Sequence, residues 1–210
     1  MWRENLLGCG TVSESTTRRR LIVAMTGATG TVIAVRLLQM LQETDVEVHL
    51  VMSKWAARTL VHETSFAPDD VQRMATAVYA PTDQGAAIAS GSFLTEGMIV
   101  VPCSMRTLAA IAHGYGDTLI HRAADVVLKE RRKLVLSVRE TPFNDIHLEN
   151  MLKLSRMGVV ICPPMPAYYA RPQTVDDIIT SSAARLLDQV GVHVGTTARW
   201  DGEMEVGVEP

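Results

Sequence analysis

The chain alternates between two hydrophobic patterns along most of its length. Short apolar or alternating runs occur at residues 21–25, 46–52, 98–103, 134–138 and 159–162, and their length and composition are typical of buried β-strands. Each run is followed by a stretch with the three- and four-residue apolar spacing of a helix. Strands that alternate with helices predict a mostly parallel sheet covered on both faces, a doubly wound α/β domain of the Rossmann or flavodoxin-like type.

The helices are predicted from their apolar spacing, and one region between the second and third strands lacks a clear pattern. Residues 65–93 contain Pro68, Pro81 and a tract of small residues, which indicates loop and short helix. The predicted helices span residues 32–41, 54–63, 108–112, 118–129, 146–156 and 174–190.

Polar or small residues follow all five predicted strands. Ligands of open parallel sheets bind beyond the carboxyl ends of the strands, so we expect a site at this edge of the sheet. The segments that reach this edge are Thr26 to Gly30, Ser53, Ser104 to Thr107, Arg139 with Glu140, and the residues after Cys162.

The glycine-rich turn from Thr26 to Gly30 opens a helix, where free backbone N–H groups and the helix dipole suit a phosphate. A tight turn that needs glycine for packing explains the same residues equally well. The second strand ends in Ser53 and Lys54 instead of the acid that holds an NAD ribose, which disfavours NAD but permits NADP. Ser104 and Thr107 have a simpler interpretation as helix caps. Three such junctions at one sheet edge nevertheless favour a mononucleotide.

Two groups of charged residues have both a structural and a functional interpretation. Arg122, Asp125 and Lys129 share one helix face, and this spacing alone favours a row of ion pairs on the surface. Arg139 and Glu140 directly follow a strand, at the edge where a ligand is expected, so both interpretations stay open for them.

A proline-rich loop with two aromatic rings, Tyr168 and Tyr169, follows the last strand, and Arg185 lies among apolar residues of the last helix. Such a loop and arginine can cap a sheet edge or hold a subunit contact. The same residues can clamp an apolar chain that ends in a phosphate.

Composition and charge limit the possible functions. A chain of 210 residues that is 47% hydrophobic has the size and core of a single domain, and no apolar run is long enough for a membrane span. A net charge of -3 gives no general attraction to nucleic acid or to an anionic membrane. No cluster of His, Cys and Asp has the spacing of metal ligands. Residues 1–19 have the composition of a disordered tail or a targeting segment, which leaves the cytoplasm and the mitochondrion as compartments.

The chain contains several longer motifs, namely TGATG, VMSKWA, PCSMRTLA, RAADVVLKERRKLVLSVRETPF, IHLENMLKLSRMG and PPMPAYY. Together they resemble the motifs of the UbiX-type flavin prenyltransferases, in particular the branch associated with phenolic-acid decarboxylation and its fungal members. They extend over about residues 20–202. The resemblance implies one flavin-binding prenyltransferase domain at residues 20–210, preceded by the tail at residues 1–19.

The resemblance implies binding or catalytic roles for residues at the predicted strand ends. For FMN it implies Gly27, Ala28, Thr29, Ser53, Ser104, Met105, Arg106, Thr107 and Arg139, with Arg122 nearby. For dimethylallyl phosphate it implies Lys129, Tyr169 and Arg185. The site carboxylates that it implies are Glu63 and Glu140. The resemblance therefore favours a catalytic role over surface ion pairing for Arg122 and Lys129.

The implied reaction makes a prenylated flavin. In the family, N5 of reduced FMN displaces phosphate from the allylic carbon and C6 then closes a fourth ring, which yields prenylated FMN for a UbiD-type decarboxylase. Lys129 and Arg185 suit the departing phosphate, and Glu140 suits proton transfer with Glu63 in support. The resemblance implies no metal and a homo-oligomer, for which a dodecamer is one size.

Two positions depart from the pattern of the family. Thr29 stands where many relatives have serine, so this position keeps the hydroxyl and adds a methyl group on the same carbon. Around Gln84, where some relatives place a tryptophan against the prenyl group, this chain has no aromatic residue.

Two other functions remain as alternatives at this point. A flavin-dependent cysteine decarboxylase-like enzyme would share the fold and the FMN site, but the chain lacks the P-x-M-N-x-x-M segment of that group. An FMN-binding accessory subunit of a phenolic-acid decarboxylase would need no turnover of its own. Passive binding of this kind would not require the set Lys129, Glu140, Tyr169 and Arg185.

Overall fold

The computed structural model describes residues 19–195, 199, 200 and 202. Within them the chain forms six strands, seven helices and two 3-10 turns. The strands are β1 (Arg20–Met25), β2 (Glu47–Met52), β3 (Ala77–Tyr79), β4 (Gly97–Cys103), β5 (Lys133–Val138) and β6 (Val160–Ile161). The helices are α1 (Thr31–Gln42), α2 (Lys54–Glu63), α3 (Pro68–Gln72), α4 (Met105–Ala112), α5 (Leu119–Lys129), α6 (Asp145–Arg156) and α7 (Val175–Asp188). The predicted tail lies outside the described residues, apart from Arg19.

All strand pairs in the sheet are parallel, and the strand order is β3-β2-β1-β4-β5-β6. From the central pair β1 and β4 the chain moves outward in both directions, so the strand order reverses between these two strands. This topology confirms the doubly wound α/β prediction. A crevice beyond the carboxyl ends of β1 and β4 is the place where such sheets bind ligands.

Both faces of the central strand β1 are buried. Leu21, Val23 and Met25 pack with α1 and α7 on one face of the sheet, and Ile22 and Ala24 pack with α4 and α5 on the other. A strand that is covered on both sides needs apolar residues at every position, which is why its sequence is a continuous apolar run.

The ends of β1 and β4 are joined through one side chain, Thr26, which is 2% exposed. Its hydroxyl donates to the carbonyl oxygen of Pro102 at 2.7 Å and accepts from the backbone N–H of Ser104 at 2.9 Å. The register between β4 and β5 shifts between Val100 and Cys103, so the regular ladder is interrupted here. The threonine thus supplies hydrogen bonds to buried backbone groups near this irregularity.

The structure also differs from the sequence prediction at one edge of the sheet. The prediction of loop and short helix for residues 65–93 is wrong at Ala77–Tyr79, which form β3 and pair with β2. A strand of three residues is too short to give a periodic hydrophobic pattern, and an edge strand is only partly covered by its neighbours. None of the described helices is long and apolar enough to cross a lipid bilayer.

A buried histidine lies on β2 beside this edge strand. The side chain of His49 is 7% exposed, its Nδ1 lies 2.9 Å from the Tyr79 hydroxyl, and its ring meets the edge of Phe93 at 5.0 Å between centroids. Nε2 has no hydrogen-bond partner among the described residues. Burial lowers the pKa of His49; the Glu47 carboxylate opposes this effect and Arg20 adds to it.

The lowered pKa of His49 predicts that stability declines in mild acid. Below the ordinary histidine pKa of 6.5, the unfolded chain takes up a proton that the folded protein resists, so stability from the neutral ring is lost as the pH falls. The loss is at most about 1.4 kcal/mol per pH unit. Urea unfolding followed from about pH 8 to about pH 5 measures it. His49→Gln, which does not titrate, should flatten the profile.

The exposed His62 on α2 offers a matched control for this experiment. His62→Gln removes a histidine from the surface and should leave the slope of the wild-type profile unchanged. Equal slopes for the wild type and His49→Gln would mean that the titration of His49 does not contribute.

Candidate active site

Three helices begin at the carboxyl edge of the sheet and point their N-termini into one cavity of about 370 Å³. Each first turn is capped by a side-chain oxygen that accepts a backbone N–H: Ser53 for α2, Ser104 for α4 and Thr118 for α5. A helix N-terminus carries about half a positive charge, and three of them favour an anion such as a phosphate. We call this cavity the cradle.

The cradle contains part of the predicted FMN set. Its lining residues are Thr26, Gly27, Ser53, Trp55, Pro81, Ser104, Arg106, Thr107, Thr118, Ile120 and His121. Gly27, Ser53, Ser104, Arg106 and Thr107 were predicted. Four other predicted residues do not line it: Ala28, Thr29, Met105 and Arg139. Met105 instead packs partly buried against the core beneath α4.

The glycine-rich turn does not offer its own helix N-terminus to a ligand. The carboxylate of Glu63, at the end of α2, accepts the N–H of Gly30 at 3.0 Å, the N–H of Thr31 at 2.9 Å and the Thr31 hydroxyl at 2.7 Å. The N–H groups of Gly30 and Thr31 at the start of α1 are therefore already paired. Phosphate binding by Gly27, Ala28 and Thr29 stays a prediction.

These hydrogen bonds also decide the charge of Glu63. Burial raises the pKa of its carboxyl, but hydrogen bonds from Thr29, Thr31 and the Gly30 backbone outweigh burial and hold the pKa below its ordinary value. The carboxylate is therefore ionised at neutral pH and fully engaged. It holds the turn between β1 and α1 in place.

Gly27 is required by the close approach of α2. A Cβ built on Gly27 would overlap the Cβ of Trp55 in the first turn of α2. The indole ring itself is 61% exposed at the wall of the cradle, with the Arg58 guanidinium 4.9 Å from its ring centroid. Trp55 was not predicted as a site residue, because one aromatic residue after a strand gives no signal of its own.

Arg139 and Glu140 follow β5 at the same edge, and both are exposed. The N–H of Arg139 donates to the carbonyl oxygen of Cys103 at 3.1 Å, which places the pair beside the end of β4. Oε1 of Glu140 accepts the N–H of Thr141 at 3.1 Å. Since its other oxygen has no partner among the described residues, this carboxylate is available for a substrate.

The second predicted pair, Arg122 and Lys129, lies on α5 and borders a separate cavity of about 560 Å³. Arg122 donates to Asp125 at 2.7 Å, and Lys129 pairs with Glu130. The ion pair expected from the helix spacing is present at Arg122. Both cations are still about half exposed and border the cavity.

The third predicted pair, Tyr169 and Arg185, borders a cavity of about 710 Å³ between α7 and the loop after β6. Trp200 meets Tyr169 edge to face with 5.8 Å between the ring centroids. Arg199 donates to both oxygens of Asp188 at 3.1 and 2.8 Å, so this part of the C-terminal segment is attached to α7. The cavity combines cationic and aromatic walls.

Part of the predicted site set therefore lies around three cavities in one chain. The predicted residues that line none of these three are Ala28, Thr29, Glu63, Met105, Arg139 and Glu140. The cradle and the Arg122 and Lys129 cavity share one wall residue, His121, whereas no residue lines both the cradle and the Tyr169 and Arg185 cavity. Neither His121 nor its neighbour Asp117 was predicted. Among the described residues there is no group of three or more His, Cys, Asp or Glu side chains that could hold a metal ion.

Comparisons with known proteins show the family of this chain. The model of the Flavoprotein family matches residues 10–187. The flavin prenyltransferase PAD1, mitochondrial, of Saccharomyces cerevisiae is 54% identical over 184 residues, which are 88% of this chain and 76% of the yeast protein.

Two solved structures are also similar. A dodecameric FMN-dependent UbiX-like decarboxylase from Escherichia coli O157:H7 superposes with a TM-score of 0.86 at 59% identity, covering 87% of this chain and all of that one. AnUbiX (PadA1), in complex with FMN and dimethylallyl pyrophosphate, has a TM-score of 0.88 at 51% identity, covering 89% of this chain and all of that one.

Substitution of Gly27 by alanine should disturb the cradle. The added methyl group overlaps the first turn of α2, so the helix must move and take the Ser53 cap with it. We expect flavin mononucleotide to bind at least about tenfold more weakly, measured by quenching of its fluorescence. Gly195→Ala is the matched control, because a Cβ there meets no atom of the described part of the chain within 4 Å. Equal affinities of the two variants would contradict the role of the close approach.

Proposed function

This chain belongs to the family of UbiX-like flavin prenyltransferases, and we propose that it joins a dimethylallyl group from dimethylallyl phosphate to N5 and C6 of reduced FMN. The product is prenylated FMN, which a UbiD-type decarboxylase then uses. The observation that carries this conclusion is the agreement between the family membership and the cradle, where three helix N-termini and Arg106 form a site for a mononucleotide phosphate.

The residues of the cradle hold the flavin. Ser53, Ser104 and Thr107 present hydroxyl groups at the helix N-termini, and Arg106 adds a full positive charge at the cavity wall. Gly27 lets α2 approach β1 closely enough for these groups to converge. We assign Glu63 to positioning instead of proton transfer, because the turn already engages its carboxylate.

The remaining cations act on the prenyl phosphate. Lys129 and Arg185 stabilise the negative charge that develops on the departing phosphate, with Arg122 adding to the field and Tyr169 donating a hydrogen bond. The reaction supplies an allyl group that passes through a cation-like state, and aromatic faces such as that of Tyr169 suit it. Glu140 has a free oxygen to accept the proton that C6 loses when the ring closes.

A homo-oligomer would bring the cradle of one subunit close to the phosphate-binding residues of another. One chain alone separates the cradle from the cavity of Tyr169 and Arg185. Contacts between subunits would let residues of one chain reach the flavin held by another. Exposed apolar side chains on and after α6 provide surface for such contacts, namely Ile146, Leu148, Leu152 and Met157.

The compartment and the recipient of the product are also proposals. The yeast relative is named as a mitochondrial protein. For this chain, the mitochondrion and the cytoplasm both stay predicted compartments. A UbiD-type decarboxylase fits as the recipient because the family's product serves that group of enzymes.

Anaerobic incubation of the purified protein with reduced FMN and dimethylallyl phosphate tests the function directly. Mass analysis of the released flavin should show a gain of one prenyl unit, with either the monophosphate or the diphosphate as donor. Bound FMN without a mass gain for both donors would favour the accessory-subunit alternative.

The roles of individual residues are tested with variants in the same reaction. Lys129→Ala and Glu140→Gln should each bind FMN normally and alkylate it about a hundredfold more slowly. The first variant loses stabilisation of the departing phosphate, and the second loses proton transfer. Lys133→Ala removes an exposed lysine at the opposite end of β5 and should react at the wild-type rate. Wild-type rates for both active-site variants would remove these assignments.

A further inference from the structure

An Asp-His pair lies at the start of α5, outside the roles assigned so far. His121 is the third residue of α5, and its side chain is 6% exposed. Its Nδ1 lies 2.7 Å from Oδ1 of Asp117. The other carboxylate oxygen of Asp117 lies 3.6 Å from Nη2 of Arg106. The three side chains are connected, and the outer two, His121 and Arg106, line the cradle.

The second nitrogen of His121, Nε2, has no hydrogen-bond partner among the residues that the structure describes. Two buried side-chain N or O atoms of the described residues lack a hydrogen-bond partner, and Nε2 of His121 is not one of them. The nitrogen is therefore not fully sealed from solvent, and His121 lines both the cradle and its neighbour. Asp117 accepts from Nδ1, which orients the ring and leaves Nε2 free for a ligand.

We infer that His121 is a further FMN-binding residue of this chain, whose Nε2 forms a hydrogen bond with the phosphate group in the cradle. The inference depends on the proposed function, since FMN has to occupy the cradle. Its basis is the juxtaposition of an accessible, unpaired nitrogen on a largely buried imidazole with three helix N-termini and Arg106. In a histidine that only filled the core, each ring nitrogen would be hydrogen-bonded or inaccessible to solvent.

The proposed hydrogen bond contains one proton between Nε2 of His121 and a phosphate oxygen. The second proton of a phosphate monoester has a pKa of about 6. Either a protonated Nε2 donates to the dianion, or a monoprotonated phosphate donates to neutral Nε2. Both forms hold one more proton than the free components at higher pH, so FMN binding should take up a proton.

Charged groups of both signs lie near His121. Asp117 contacts its ring, and Arg106 contacts Asp117. On α5, Asp125 and Arg122 form an ion pair at 2.7 Å. Tyr115, Lys129 and Lys153 line the neighbouring cavity. The phosphate itself is therefore the main charge that changes when FMN binds.

The test compares FMN with riboflavin, which lacks the phosphate, between about pH 6 and about pH 8. Dissociation constants are measured by flavin fluorescence for the wild type, His121→Gln and Asp117→Asn. His62→Gln, on the exposed face of α2, is the matched control. Far-ultraviolet circular dichroism and melting curves establish that each variant is folded.

For the wild type, FMN affinity should decline as the pH rises, by up to about tenfold per pH unit. His121→Gln should bind FMN about tenfold more weakly at the acidic end, lose this pH dependence and retain the riboflavin affinity of the wild type. Asp117→Asn should weaken FMN binding and retain the riboflavin affinity, because the ring of His121 loses the carboxylate that orients it. His62→Gln should match the wild type throughout.

Two results would overturn the inference alone. Equal weakening of FMN and riboflavin by His121→Gln would indicate a structural histidine, and an unchanged FMN profile would exclude a contact with the phosphate. Failure of the wild type to bind FMN at all would overturn both this inference and the proposed function. FMN binding that depends on His121, without any prenylated product, would support the inference and contradict the proposed function.

Discussion

The hydroxyl of Thr26 bonds to the backbone on both sides of Cys103, to the carbonyl of Pro102 and to the N–H of Ser104. Ser104 is also the cap of α4, so one buried side chain sets where that helix begins. The N–H of Ser53, the cap of α2, donates in turn to the carbonyl of Met25, which precedes Thr26. The ends of β1, β2 and β4 are thereby fixed relative to one another. The convergence of helix N-termini on the cradle depends on these few bonds.

Positive charge is distributed in two different ways around the candidate site. In the cradle it comes largely from backbone N–H groups, which are fixed by the fold and do not titrate. Around the other two cavities it comes from Arg122, Lys129 and Arg185, which sit on long side chains. A fixed field suits a group that stays bound through the reaction. Flexible cations suit a phosphate that must enter, separate from its carbon and leave.

The order of strands and helices could be read from the sequence, because a parallel sheet covered on both faces requires apolar runs such as Leu21–Met25. Ser53 and Ser104 were recognisable for a related reason, since caps directly follow strands. Strand β3 could not be read from the sequence, as its pairing depends on β2 and not on its own three residues. The hydrogen bond between Glu63 and the Gly30 turn could not be predicted from the sequence either. It joins residues 33 positions apart, and no local pattern records such a contact.

The sheet ends in a strand of three residues on one side and a strand of two residues on the other. Each outer edge therefore exposes only a few unpaired backbone N–H and C=O groups, too few to template the addition of another strand. A protein that assembles from several copies needs specific contacts while it avoids open-ended growth. With both edges this short, association has to proceed through helix faces and loops, whose side chains specify a closed arrangement.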